Sequence, residues 1–319
     1  MRVVITGGAG FLGLRLGRQL AARGRLAGAA LDEILLFAQA PPPPEAGPLP
    51  SGSRLVAGDI ADPAAIAALA AGPSPLTVYH LASVVSAGGE RDFDLALRVN
   101  LDGGRALLDA LRRRGDCPRV IFASSVAVFS GAAMGDDVKP LPATTYGMTK
   151  AVLELLINDM SRKGFLDGRT ARLPTVIVRP GKPNAAAGGG ASALSGEPRA
   201  GRERRQPVPP DTRIIVGGYA GVVDNLVRLA ELPGAALGLD RALTFPGLAV
   251  SAAEMLAALR RVGAGRALGP VVEAPDPGIT AIVRSWPGET DFARATALGL
   301  VADPDLESIL RRYIADYLS

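Results

Sequence analysis

Residues 1–13, MRVVITGGAGFLG, decide the fold. RVVIT reads as a short buried strand, and a helical apolar run, FLGLRLGRQLAARG, follows at once. Gly7, Gly10 and Gly13 occupy the turn between them, in a G-x-x-G-x-x-G spacing. Glycines at such a turn let the backbone approach a pyrophosphate, whose charge then sits over the helix N-terminus. Glycine also serves ordinary tight turns, so the triple gains its meaning from its place between a first strand and a first helix.

The same alternation continues outward. The runs EILLF (33–37), SRLVAG (53–58), LTVYHLA (76–82), RVIFASS (119–125) and TVIVRP (175–180) are short and mainly apolar. Between them, segments such as DPAAIAALAAG (62–72) and FDLALRVNLDGGRALLDALRRRG (93–115) carry apolar residues at helical spacings of three and four. Asp62 before Pro63 reads as an N-cap and first helical residue. Mainly apolar strands alternating with helices predict an α/β protein, a Rossmann-type doubly wound parallel sheet over residues 1–180 with TVIVRP as its sixth strand. PPPPEAGPLP (41–50) reads as a stiff surface excursion.

After RPGKPN (179–184) the texture changes, and residues 184–210 are expected to form a flexible loop on the substrate side. Helical patterns return at AGVVDNLVRLAEL (220–232) and SAAEMLAALRRV (251–262), with the strand-like ALTFPGL (242–248) between them. DPDLESILRRYIADYL (303–318) closes the pattern as an Asp-capped amphipathic helix. The expected division is a nucleotide-binding domain over 1–180, a strand and helix near 222–247 returning to it, and a smaller C-terminal substrate-binding lobe from 181–221 and 248–319.

Composition narrows the functional classes. Of 319 residues, 48% are hydrophobic, and the net charge of +4 is too small to suggest a nucleic-acid face. Arg199, Arg202, Arg204 and Arg205 crowd together, as a solvated loop or an anion-binding one. The single cysteine, Cys117, excludes an internal disulfide and any Cys-rich metal site, and no metal is expected. His80 is the only histidine, so a Ser-His-Asp triad has one place to form; packing at its strand end is the simpler reading. No apolar segment is long enough for a membrane span and no signal peptide precedes the first strand, so a cytoplasmic protein is expected.

TTYGMTK (144–150) places Tyr146 four residues ahead of Lys150, about one helical turn. With only five tyrosines and four lysines (139, 150, 163 and 182), such a pair is rare by chance. Spacing alone also fits two surface neighbours; a cofactor site beside them makes the pair chemically meaningful.

Taken together, the motifs resemble the extended short-chain dehydrogenase/reductases. TGGAGFLG matches the N-terminal motif of that family, AGDIAD its third-strand end, YHLAS its fourth-strand end, and Ser124–Ser125 with Tyr146 and Lys150 its catalytic set. The resemblance implies NAD or NADP, with NAD slightly favoured. The dinucleotide would lie on Gly7, Gly10, Phe11, Leu12 and Gly13, on Ala38 and Gln39, on Asp59 and Ile60 at the adenine, and on Leu81, Ala82 and Ser83. Asn100, Ser124, Tyr146, Lys150, Pro180 and Lys182 would complete its site. Tyr146 would be the general acid/base, Lys150 would favour its phenolate and bind the ribose, and Asn100 would support the site from a neighbouring helix. Ser125 would hydrogen-bond the reacting oxygen, with Ser124 the alternative. Val84, Ser86, Ser125, Val126, Tyr146, Lys182, Asn184 and Ser192 would face a small hydroxy or keto substrate. The resemblance also implies a homodimer.

Within that family the alternatives are separable in part. Dehydratases carry an acidic pair after the catalytic Ser/Thr, where SSVAVFS has Val126 and Ala127. A silent dinucleotide sensor would need no Tyr–Lys pair. A nucleotide-sugar epimerase stays open, with Arg199–Arg205 as a diphosphate grip. RLPTVIVRPGKPNAAA, PVPPDTRI, NLVRLAELP, FPGLAVS and SWPG resemble the D-erythronate dehydrogenases, which oxidise the C2 hydroxyl of a four-carbon sugar acid with NAD. At the most distinctive segment, Lys182 and Asn184 suit a carboxylate and hydroxyls; Trp286 reads as core filler rather than pocket wall. Two positions depart from that pattern. Ala38 stands where the family has Asp at the ribose, with Arg15 or Arg54 as the nearest candidates to meet a 2′-phosphate. Family arginines fall on Gly196 and Ala220, which leaves open a ketoreductase acting on a non-acid carbonyl.

Overall fold

The computed structural model describes residues 1–131, 133–135, 137–178, 204–263 and 271–317. Strands β1 (Arg2–Thr6), β2 (Glu33–Ala38), β3 (Ser53–Ala57), β4 (Leu76–His80), β5 (Arg119–Ser125), β6 (Asp167–Leu173) and β7 (Ala242–Thr244) form one sheet. Their order is β3–β2–β1–β4–β5–β6–β7, and every pairing is parallel. The winding reverses between β1 and β4, and in such sheets the crevice beyond the strand carboxyl ends at that point receives ligands.

Helices α1 (Phe11–Arg23), α2 (Pro63–Ala70), α3 (Gly103–Arg113), α4 (Thr145–Arg162) and α5 (Tyr219–Glu231) cover the sheet. The period-2 geometry of β1 divides the core. Val3 and Ile5 pack with Leu16 and Leu20 of α1 and Leu226 of α5, whereas Val4 packs on the other face with Ile66, Leu107 and Ile157. Both faces are dry, which is why these strands lack polar alternation. Asp62 does cap α2, accepting from the Ala64 N–H.

The sixth strand differs from the sequence expectation. It is DGRTARL, not TVIVRP, and it carries Asp167, Arg169 and Arg172 into the interior. Each charge is matched: Arg169, wholly buried, donates to the Asp167 carboxylate and the Leu229 carbonyl, and Arg172 pairs with Glu154 of α4. A reading by apolar runs cannot see such a strand. Pro174 follows β6, and Thr175–Ile177 joins a second sheet, parallel to Arg213–Gly218, which pairs antiparallel with Leu248–Ser251.

Around this small sheet lies a separate core of Ile177, Ile214, Val216 and Val250, closed by Met255, Val283, Ile309 and Tyr313. The first of these helical residues sits on Ala252–Val262, which begins with a Ser251/Glu254 capping box. The final helix, Leu306–Tyr317, starts at Asp305, whose carboxylate accepts from Ser308. Among the described residues no helix is long and apolar enough to cross a membrane.

Candidate active site

The glycine turn is shaped by close approach. Gly7 has φ +70, and a Cβ there would lie 2.9 Å from the Ala82 nitrogen on the neighbouring β4 loop. A Cβ on Gly13 would meet the Gly7 carbonyl at 2.4 Å, so α1 begins hard against the turn. Gly10 is the N-cap of α1 and has no capping side chain, which leaves the first-turn N–H groups uncovered by side chains. Backbone donors, a helix N-terminus and no Cβ between them fit the diphosphate of a dinucleotide.

Beyond the turn, a cleft of about 300 Å³ runs along the carboxyl ends of β1, β4 and β5. Gly7, Gly10, Phe11, Leu12, Gly13, Leu81, Ser83, Ser86, Ser124, Ser125, Tyr146 and Lys150 all line it. Gly147 explains how α4 enters so closely: a Cβ there would collide with the Ala127 carbonyl at 2.1 Å. Thr144 caps α4 through the Gly147 N–H, and Glu90 accepts from the Thr145 N–H. These contacts hold Tyr146 over the strand end.

Ser125 stands beside the Tyr146 hydroxyl. Burial pushes that hydroxyl up to about 12, with Ser125 opposing the rise. Lys150 is buried, with Nζ donating to the Ala123 carbonyl at 2.8 Å and lying 5.5 Å from the centre of the Tyr146 ring. Burial brings its ammonium down to about 7, against the pull of Glu154. Lys150 stands one helical turn from Tyr146, on the same side of α4. Ser124 is buried and its hydroxyl donates to Glu154. Of the two serines, Ser125 is the one beside the phenol.

Asn100 lies on a π-helical segment, Leu97–Asp102, of the kind often found at functional sites. Its Oδ1 accepts from the Val84 N–H at 2.7 Å and the Ser83 hydroxyl at 3.1 Å, and its Nδ2 donates to the Val84 carbonyl. A longer bond of 3.4 Å reaches the Thr149 hydroxyl, next to Lys150. Asn100 therefore fastens the β4 loop to α4 without lining the cleft. His80, also buried, meets the Thr6 hydroxyl at 2.7 Å, and burial pushes it down to about 3. It is a neutral packing residue.

At the other end of the crevice, Ala38 closes β2 and its carbonyl accepts from Gly58. The exposed Gln39 side chain bonds the Asp59 carboxylate, which also pairs with Arg98 at 2.9 Å and accepts from the Ala61 N–H. Arg98 is a cation the sequence reading passed over. Arg54 pairs with Glu33 near the amino ends of the strands, and Arg15 pairs with Asp316 and stacks on Tyr219 and Tyr317. Both are therefore occupied away from position 38. Ile60 is buried, and the Ala82 N–H bonds Thr6.

The remaining expectations divide. Val126 is buried in a cluster with Val128, Phe129 and Met134 and does not line the cleft, and Val84 serves through its backbone. Trp286 packs against the core of the second sheet, as expected, and also lines the cleft together with Val85, Leu173, Pro174, Thr175 and Val176. Ala220 faces a different hollow, beside Arg15, Arg18 and Arg312, so an arginine there would not reach the cleft. Pro180, Lys182, Asn184, Ser192 and Gly196 lie outside the described residues. Glu154 and Arg172 were missed; a glutamate one turn beyond Lys150 was the available signal.

Comparison with known proteins is consistent with this geometry. The NAD dependent epimerase/dehydratase family matches residues 3–189. A D-erythronate dehydrogenase from Cupriavidus necator is 43% identical over 99% of this chain and 98% of its own. Another, from Haemophilus influenzae, is 35% identical over 98% and 99%. A solved structure of a nucleoside-diphosphate-sugar epimerase from Agrobacterium tumefaciens superposes with a TM-score of 0.89 at 35% identity, covering 100% of this chain and 94% of that one.

Proposed function

Because this chain belongs to the NAD dependent epimerase/dehydratase family and is an oxidoreductase, we propose that it interconverts a secondary alcohol and a ketone, oxidising a D-erythronate-type sugar acid at C2. The observation that carries the reading is the meeting of the Ser125 and Tyr146 hydroxyls beside Lys150, in a cleft that opens onto the glycine turn. Ser125 would hold the substrate oxygen while Tyr146 takes up or returns its proton. Approach of the Lys150 ammonium favours the phenolate that oxidation needs. When bound, the nicotinamide ring supplies the hydride acceptor. Asn100 keeps the β4 loop and α4 in register during this exchange.

NAD is favoured slightly over NADP. Ala38 offers the ribose diol no carboxylate, and Arg15 and Arg54 are held elsewhere for a 2′-phosphate. A preference above about a hundredfold for either cofactor, roughly 2.7 kcal/mol, contradicts this part of the reading. The protein is further proposed to be cytoplasmic and homodimeric, with Val152 and Leu155 of α4 exposed on a face suited to a second copy.

A nucleotide-sugar epimerase is the second reading, favoured by the likeness to the Agrobacterium protein. Arg199 and Arg202, the first two cations of the diphosphate grip that reading needs, lie outside the described residues. Steady-state assays with D-erythronate, L-threonate, neutral vicinal diols, bulky ketones and a nucleoside-diphosphate sugar, each with NAD and NADP, separate these readings. Efficient net oxidation of D-erythronate is expected. A neutral diol or ketone turned over far better than any acid replaces it with a non-acid ketoreductase.

A further inference from the structure

Behind the cleft, three buried polar side chains from three elements converge. Glu154 on α4 accepts from the Ser124 hydroxyl of β5 and from Arg172 of β6, whose Nε and Nη2 donate to one carboxylate oxygen at 3.0 and 2.7 Å. All three are at least 95% buried. Placing an ion pair here has a desolvation cost, and a pair of apolar residues would fill the same space without it. None of the three is accounted for by the proton exchange at Tyr146. Their position relative to Lys150 accounts for them: Glu154 lies four residues further along α4, hence one turn away on the same side.

We propose that Glu154, set in place by Ser124 and Arg172, is a positioning residue that fixes the charge on Lys150 and through it the acidity of Tyr146. The proposal rests on the Tyr146–Lys150 reading of the site. The electrostatic surroundings of Lys150 are limited. On its own helix it faces Tyr146 and Glu154; from β5 come the Phe122 ring and the Ala123 carbonyl; from β4 comes His80, held neutral by burial; and from β6 comes Arg172 behind Glu154. Asp240 acts on Glu154 from the loop before β7, and Asn100 is uncharged. Glu154 is thus the carboxylate that offsets the desolvation of the Lys150 ammonium, drawing it upward against burial. Burial raises the Glu154 carboxyl above the usual carboxylate range, and the Arg172 guanidinium opposes that rise. Its guanidinium also lies 4.9 Å from the centre of the Phe129 ring, which fixes its direction.

The test is a direct titration of Lys150. With only four lysines in the chain, carbon-13 NMR of protein labelled at lysine Cε gives few signals, and Lys150→Arg assigns the relevant one. Wild type is compared with Glu154→Gln, which leaves Arg172 unopposed, and with the double variant Glu154→Leu/Arg172→Met, which removes both charges. The Lys150 midpoint should fall in the order wild type, double variant, Glu154→Gln, with the largest drop on the order of one pH unit. The alkaline rise of turnover in alcohol oxidation should move to higher pH in the same order, because an ammonium lost earlier no longer favours the phenolate. If Glu154→Gln fails to fold, the double variant alone decides, since apolar replacement of a buried pair is commonly tolerated. A double variant with the wild-type midpoint would show the pair to be structural only and overturn the proposal. Full turnover in Tyr146→Phe would instead remove the reading beneath it.

Discussion

Buried cationic centres stand at both ends of the central sheet, and they are built on opposite terms. At the amino end, Arg119, Arg169 and Arg241 surround Asp167. Each also donates to carbonyls: Ala230 for Arg119, Leu229 for Arg169, Gly168 and Gly234 for Arg241. Leu229 and Ala230 belong to the last turn of α5, where carbonyls lack helical partners and positive charge is welcome. At the carboxyl end, Lys150 has three N–H donors and one described acceptor, the Ala123 carbonyl, and it opens onto the cleft. The difference separates architecture from chemistry. Guanidinium donors shared between a carboxylate and backbone carbonyls lock a strand in place, whereas an ammonium with one described acceptor beside a partly exposed phenol can serve a bound molecule.

Removing a cation bound to Asp167 should therefore cost stability and spare the reaction. Arg169→Met leaves Asp167 with fewer partners in the interior, and denaturant unfolding should show a loss of about 3–5 kcal/mol. Turnover per folded molecule should stay near that of the wild type. Loss of turnover without loss of stability would erase the distinction between the two ends.

A smaller effect tests the claim that the catalytic end disfavours charge. Unfolded, His80 gains a proton near its ordinary value of about 6.5; folded, it resists until about 3. Between those values the unfolded state binds the extra proton, so stability falls as pH falls, by about 1.4 kcal/mol per pH unit from this group. His80→Asn should flatten the decline of melting temperature between pH 6 and pH 4. An unchanged slope would mean that His80 is already charged in the fold.

The smallest effect is expected at Arg54. Its ion pair with Glu33 is partly exposed, and such pairs contribute about 0–1 kcal/mol. Arg54→Ala should leave the ratio of NAD to NADP efficiency unchanged. A shift of that ratio toward NAD would place Arg54 at the ribose after all.

How far the chain could be read in advance follows the same division. The strands written in apolar residues, the glycine turn and the rare Tyr146–Lys150 pair were legible because each has a local pattern. β6 was not, because its Asp167, Arg169 and Arg172 are intelligible only with Glu154, Arg241 and the end of α5 beside them. TVIVRP looked like the missing strand for want of that context, and Thr175–Ile177 pairs elsewhere. Trp286 illustrates the same limit, since nothing local tells a packed indole from one on a cleft wall. Gly147 was readable in principle: a glycine after the tyrosine marks close backbone approach, here to Ala127.

The central claim is that Tyr146 moves the proton while the dinucleotide is held by other groups. The most direct test measures, in one set of proteins, the rate of nicotinamide reduction at saturating D-erythronate, or at the best alcohol of the panel, and the dissociation constant of the dinucleotide. Tyr146→Phe should lower the rate by ~10²–10⁴, as for other acid/base groups, with the dissociation constant nearly unchanged. A rate close to wild type, or a loss explained wholly by weaker dinucleotide binding, would contradict the account.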